Sequence, residues 1–178
     1  MIRQVRSVPF IHRNPEPYPF MIPLEAYLKS VDVDYELIPK NHTLHTADAA
    51  EATGIDLERI TKSLVCLSPE KKAYVAVIPG THKLRPKEVA RNFGLKKVRL
   101  CPFEDAHTYS GYPPGATPPL HHQKVEGVVI DEALTLWDTI YGGGGTNERL
   151  LKIKTQDLIR LTGYRVADIS IPPEPQAS

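Results

Sequence analysis

Ser63-Leu-Val-Cys-Leu67 and Ala73-Tyr-Val-Ala-Val-Ile78, joined by Ser68-Pro-Glu-Lys-Lys72, form the stretch on which the fold turns. Two apolar runs rich in β-branched residues, separated by a short polar linker, can bury their side chains together only by folding back on one another. The spacing therefore predicts an antiparallel hairpin.

Upstream, Pro23-Leu-Glu-Ala-Tyr-Leu-Lys-Ser30 places a proline in the first turn of a helix, and Tyr35-Glu-Leu-Ile38 reads as a strand. Thr46 to Thr53, closed by Gly54, reads as a short capped helix. Downstream, Pro86 to Phe93 with Gly94 behind it predicts a second helix, Lys97 to Leu100 a short strand, and Phe103 to Tyr109 a further helical segment. Strands are expected at Val125 to Ile130, Thr139 to Tyr141 and Leu150 to Ile153, with a four-glycine turn before the last and a helix over Thr155 to Leu161. Hairpin-type linkers among alternating helices and strands predict an α/β (α+β) fold: a single compact domain with a mixed, largely antiparallel sheet and flanking helices.

The remaining composition limits what such a domain does. A chain of 178 residues, 41% hydrophobic, carries one sizeable core. A net charge of +1 lacks the basic excess of a duplex-DNA binder, so any nucleic-acid contact is local. No apolar run reaches the roughly 20 residues that span a bilayer, and Met1-Ile2-Arg3-Gln4-Val5-Arg6 lacks a secretory core, so a cytoplasmic protein without a membrane partner is expected. Cys66 and Cys101 form no CxxC pair and read as reduced, buried thiols. Of the 17 prolines, clusters at Pro9 to Pro23 and Pro172 to Pro175 mark flexible or extended ends, assigning 1–22 to an N-terminal extension, 23–170 to the domain and 171–178 to a tail.

Two segments could carry chemistry. Lys62, between Thr61 and Ser63 and just before the apolar run, places an ammonium and two hydroxyls at the mouth of a buried strand, where it could hold a phosphate or a carbonyl oxygen. From spacing alone the plainer reading, a solvated lysine at a helix C-terminus, is favoured over it. Gly111-Tyr-Pro-Pro-Gly-Ala-Thr-Pro-Pro119 combines glycines that allow close approach with four stiffening prolines, which suits either ligand positioning or a plain connection. Gly142-Gly-Gly-Gly145 lacks the Gly-Lys-Ser/Thr ending of a phosphate loop and the spacing of a dinucleotide fingerprint. His42 with His45, and His121 with His122, would need further ligands to hold a metal. Without Gly-x-Ser-x-Gly, and with Cys66 inside a strand, covalent catalysis is disfavoured. Asp131 and Glu132 end a strand near the glycine turn, where they could serve as an acid or base or simply as turn residues, and they stay unassigned.

In order, Thr61-Lys-Ser-Leu-Val65, Gly111-Tyr-x-x-Gly-x-x-x-Pro119, Val129-Ile-Asp-Glu-Ala133, Tyr141-Gly-Gly-Gly-Gly145 and Asp157-Leu158 resemble the YbaK family, which includes the editing domain inserted in bacterial prolyl-tRNA synthetases. The resemblance covers roughly Tyr35 to Ser170. It implies hydrolysis in trans of the ester joining a wrong amino acid to transfer RNA, with no cofactor, metal or protein nucleophile. The family's lysine falls on Lys62 and its Gly-x-x-x-Pro loop on Gly115 and Pro119, so Lys62 and Gly115 are the implied catalytic positions. Thr61, Ser63, Gly111, Pro119, Gly143 and Gly144 are the implied substrate-binding positions. His121 stands where the family often has glycine, and Gly143 or Gly144 where other members carry serine or histidine, which leaves the amino-acid preference open. The implied partners are the acceptor end of aminoacyl-tRNA and a synthetase, with no DNA; Lys83, Arg85, Lys87, Arg91, Lys96, Lys97 and Arg99 could meet the RNA backbone or simply form a solvated face. Two alternatives remain: a non-catalytic module binding aminoacyl-adenosine or tRNA, and a metal hydrolase built on the histidine pairs.

Overall fold

The computed structural model describes residues 21–176, so the extension expected over 1–22, apart from its last two positions, and the end of the tail lie outside the described residues. The hairpin forms as the spacing predicts. Strand β2 (Thr61–Leu67) pairs antiparallel with β3 (Ala73–Pro79) in a register running from Thr61 opposite Pro79 to Leu67 opposite Ala73. The strand starts before the apolar run, so Lys62 sits inside β2 rather than ahead of it.

Before the hairpin come α1 (Leu24–Ser30), β1 (Tyr35–Pro39) and α2 (Thr46–Thr53). After it follow β4 (Lys83–Leu84), α3 (Pro86–Asn92), β5 (Arg99–Leu100), the short α4 (His107–Ser110) and β6 (Gly127–Asp131). The chain ends with β7 (Thr139–Gly143), β8 (Arg149–Lys154), α5 (Thr155–Thr162), β9 (Val166–Ala167) and β10 (Ser170–Ile171). Two expectations change. The strand foreseen over Lys97 to Leu100 shrinks to β5, and the four-glycine turn is half strand, since Gly142 and Gly143 belong to β7.

The central sheet has the order β5-β2-β3-β6-β9. The β2 to β3 and β2 to β5 pairings are antiparallel, whereas β3 to β6 and β6 to β9 are parallel. Every residue of β3 is buried, as expected of a strand paired on both edges and covered on both faces. Strand alternation divides its neighbours between two cores. Val65, Leu67, Val75, Val77 and Ile130 pack with α1, α5 and the second sheet, while Cys66, Ala76, Ile78 and Val129 pack under Val89 and Ala90 of α3. The second sheet, β1-β8-β7, is antiparallel throughout and meets the first at a bridge between Ile60 and Tyr141. Cys66 and Cys101 are free and buried, and no helix among the described residues is long and apolar enough to cross a membrane.

A pair of histidines anchors the far end of the proline loop. The His121 ring stacks on Tyr27 with centroids 4.2 Å apart, and its Nε2 lies 2.8 Å from the Ile22 carbonyl. His122 Nε2 lies 2.8 Å from the Pro118 carbonyl, a bond the ring must donate, and burial pushes this imidazole down to about 4. In the unfolded chain the same ring titrates at about 6.5. Below that pH the unfolded state takes up a proton that the folded state refuses until about 4, so folding stability falls as the pH drops through this window. The thermal midpoint of the protein should therefore decline between pH 6.5 and 4, and in His122→Gln, which retains a donor without titrating, the decline should be shallower. Identical pH profiles for the two proteins would refute this role.

Candidate functional site

Strand β5 stops early. It pairs only with Cys66 and Leu67, and Cys101 N–H adds one bond to the Val65 carbonyl at 2.8 Å. The outer edge of β2 from Thr61 to Leu64 thus has no ladder-paired strand among the described residues, and a cavity of about 260 Å³ opens along it. Thr61, Lys62, Ser63, Leu64 and Val65 form one wall, Pro114, Gly115 and Thr117 of the proline loop another, and Gly143 with Leu150 the floor. Lys40, Leu44, His45, Leu100 and Phe103 also belong to the lining, which contains no Asp or Glu.

Lys62 is half-buried, and desolvation lowers the pKa of its ammonium. No carboxylate pairs with it among the described residues; its Nζ donates to the His82 carbonyl. That carbonyl is itself secured from behind. His82 Nδ1 lies 2.7 Å from Ser170 Oγ, and the Ser170 hydroxyl donates at 2.7 Å to Asp131 Oδ2. Because the serine proton is committed to the carboxylate, the imidazole must donate to the serine oxygen. Asp131 is 2% exposed and also accepts from Ile169 N–H at 3.1 Å and Ala133 N–H at 2.9 Å. The sequence left Asp131 unassigned between an acid or base and a turn residue; it is a buried acceptor that caps the turn after β6 and secures Ser170. The only sequence signal was its capping position ahead of Ala133, which a turn shares.

The proline loop lies directly on the glycines of β7. A Cβ on Gly143 would fall 2.3 Å from the Thr117 carbonyl oxygen, and one on Gly142 would fall 2.6 Å from Pro119 Cδ. Gly145 N–H donates to the Ala116 carbonyl at 3.0 Å, tying loop and strand end together. Gly115 has φ +81°, and a Cβ there would meet Leu44 O at 2.4 Å, so both its conformation and its setting demand glycine.

Of the expected site residues, Thr61, Lys62, Ser63, Gly115 and Gly143 come together at the cavity. Gly111, Pro119 and Gly144 do not line it. Gly111 packs by Met21 and Gln123, Pro119 supports Gly142, and the Gly144 carbonyl accepts from Arg149 Nε at 2.7 Å. Sequence reasoning missed Lys40, whose Nζ donates to Thr43 Oγ1 at 2.5 Å and to the Asn147 carbonyl, and whose pKa desolvation also lowers. It also missed the rim of Leu44, His45, Leu100 and Phe103, which comes from segments far apart in the chain. Thr61 Oγ1 and Ser63 Oγ are buried without a hydrogen-bond partner among the described residues. Of the basic run, Arg85 pairs with Asp168 and Arg91 with Glu88, leaving Lys83, Lys87, Lys96, Lys97 and Arg99 without such a pairing among the described residues. No three His, Cys, Asp or Glu side chains gather as metal ligands among the described residues.

Comparison with known proteins gives a consistent picture. The family model of the aminoacyl-tRNA editing domain matches residues 40–161. A curated Enterococcus faecalis protein named "Putative Cys-tRNA(Pro)/Cys-tRNA(Cys) deacylase EbsC" is 28% identical over 137 residues, 77% of this chain and 84% of that protein. The crystal structure of a hypothetical protein superposes with a TM-score of 0.76 at 31% identity, covering 83% of this chain and 98% of the other. A "putative trans-editing enzyme for prolyl tRNA synthetase" superposes with a TM-score of 0.70 at 26% identity, covering 83% and 94%.

Gly115→Ala should destabilise the fold by about 1–3 kcal/mol, because the new methyl must displace backbone at Leu44 and adopt a disfavoured φ. Denaturant unfolding measures this directly, and an unchanged midpoint would show that the loop does not rest on Leu44 as described.

Proposed function

The chain belongs to the aminoacyl-tRNA editing domain family, and from that membership we propose that it hydrolyses the ester of mischarged aminoacyl-tRNA as a freestanding, trans-acting deacylase. The observation that carries this reading is a half-buried lysine without a carboxylate partner in a cavity that also contains a second lysine and no acid. Such a lining favours a ligand that brings its own negative charge, as the 3′ end of an RNA does. The match to a protein named as a deacylase over 84% of that protein's length supports the deacylase reading. The place of action in this reading is the cytoplasm, where aminoacyl-tRNA circulates.

In the proposed reaction, water adds to the ester carbonyl carbon and the carbonyl oxygen takes up negative charge. The intermediate then collapses, breaking the bond to the ribose oxygen, which leaves with a proton as a hydroxyl; the products are free amino acid and tRNA. The ester is already activated, so positioning and charge stabilisation supply most of what is needed. Lys62 is the cation nearest the ester region, held on the His82 carbonyl with its other N–H donors uncommitted. Gly115 acts through its backbone to orient carbonyl and water, and Thr61, Ser63 and Gly143 line the substrate. With no carboxylate in the lining, the adjacent ribose hydroxyl assists the proton transfer. Neither a metal nor a protein nucleophile enters this scheme.

Lys62→Ala should lower kcat/KM for deacylation by about 100- to 1,000-fold while circular dichroism remains that of the folded protein. A panel of alanyl-, cysteinyl-, seryl- and threonyl-tRNA measures it. Tight binding of these substrates with no turnover by the unaltered protein would favour a non-catalytic binding module. Exhaustive chelation should leave the rate unchanged, and loss of activity that zinc restores would sink the metal-free scheme.

A further inference from the structure

The ester chemistry uses the β2 edge and the proline loop but leaves the opposite rim of the cavity without a task. Three of the large hydrophobic side chains exposed among the described residues converge there: Leu44 at 43%, Leu100 at 50% and Phe103 at 47% exposure. They arrive from three separate segments: the approach to α2, the edge strand β5, and the 3-10 turn Phe103–Asp105. Isolated exposed hydrophobics are ordinary, but several gathered at one opening are unlike the rest of a solvated surface. Beside them the exposed His45 ring sits 5.7 Å from the Phe103 ring, tilted by 33°. Neither ring covers the other face to face, so the Phe103 face remains available.

The two lysines of the lining, Lys40 and Lys62, complete the pattern. A ligand that matches it has a flat apolar ring, stands beside a polar ester, and carries an anionic group for the lysines. We infer that Phe103, flanked by Leu44, Leu100 and His45, is the seat of the terminal nucleobase of the RNA 3′ end. This rests on reading the Lys62 cavity as the ester site, and it adds a residue set for the nucleotide rather than for the amino acid. Stacking on an aromatic side chain tolerates any base, so the seat gives affinity for the invariant end of the substrate and leaves amino-acid discrimination to the enclosed part of the cavity.

Adenosine 5′-monophosphate and ribose 5-phosphate are the probes, titrated by NMR against unaltered protein, Phe103→Ala, Phe103→Trp and, as a control, Leu136→Ala at an exposed site away from the cavity. The nucleotide should bind more tightly than the sugar phosphate. Phe103→Ala should weaken nucleotide binding by about ten- to a hundred-fold and leave the sugar phosphate unaffected, while Phe103→Trp and Leu136→Ala retain it. In deacylation, Phe103→Ala should raise KM for the aminoacyl-tRNA panel without altering hydrolysis of the same amino acids as ethyl esters, which have no base. Equal binding of both probes, or an equal effect on tRNA and ethyl-ester substrates, overturns the proposal. A Phe103-dependent preference for the nucleotide in a protein that deacylates nothing would leave the base seat standing and remove the ester reading instead.

Discussion

The cavity exists because two stretches of backbone touch where side chains would forbid it. Thr117 and Ala116 of the proline loop rest on Gly143, and Gly115 rests on the Leu44 carbonyl, each at a separation a single methyl would violate. Four prolines stiffen this loop, the bond from Gly145 to Ala116 fixes one end, and the two histidines hold the other. A flexible loop would lose conformational entropy each time it closed over a ligand, at roughly 1–2 kcal/mol per ordered residue, whereas one already held against β7 has lost it on folding. The glycine cluster therefore serves shape, and its resemblance to a phosphate loop is confined to composition.

Against that fixed wall stands an ammonium in an unusual situation. Lys62 is drawn from water by its place in β2, yet meets only a neutral carbonyl. Desolvation disfavours its charge, and an arriving anion or developing oxyanion relieves that penalty, so the interaction strengthens where negative charge accumulates. The hydrogen bonds from His82 through Ser170 to buried Asp131 matter in this light. They secure the carbonyl that accepts from Lys62, and the carboxylate at their far end, Asp131, stays buried outside the cavity lining. A carboxylate in direct contact would hold the ammonium more firmly and compete with the substrate for it.

How much of this was legible in the sequence follows the range of the interactions. The hairpin was readable because two apolar runs and a polar linker are local, and the helices ending ahead of Gly54 and Gly94 because capping is local. The parallel pairing of β3 with β6 was not, since it joins segments whose connection carries no register signal. Lys62, Thr61, Ser63, Gly115 and Gly143 were singled out and do meet at the cavity. Gly111, Pro119 and Gly144 lie in the same motifs but prop the loop from behind, and a motif does not say which of its glycines faces inward. Lys40 and the Leu44, His45, Leu100 and Phe103 rim escaped notice because each is unremarkable alone, and only the tertiary fold assembles them.

The enclosed part of the cavity carries a further constraint on what it accepts. Thr61 Oγ1 and Ser63 Oγ are buried with no partner among the described residues, and an unmet buried hydroxyl costs roughly 1–3 kcal/mol. Both residues line the space of about 260 Å³, whose small volume admits a compact ligand and excludes a bulky one, and the hydroxyls themselves are packed into its wall. A hydrophobic pocket discriminates weakly between side chains differing by one methylene, whereas hydroxyls that require a partner reject a ligand lacking one far more strongly. In the proposed reading, therefore, the β2 wall at Thr61 and Ser63 borders the amino-acid end of the substrate, while Lys40 and Lys62 meet its negative charge, at the ester as well as at the phosphate.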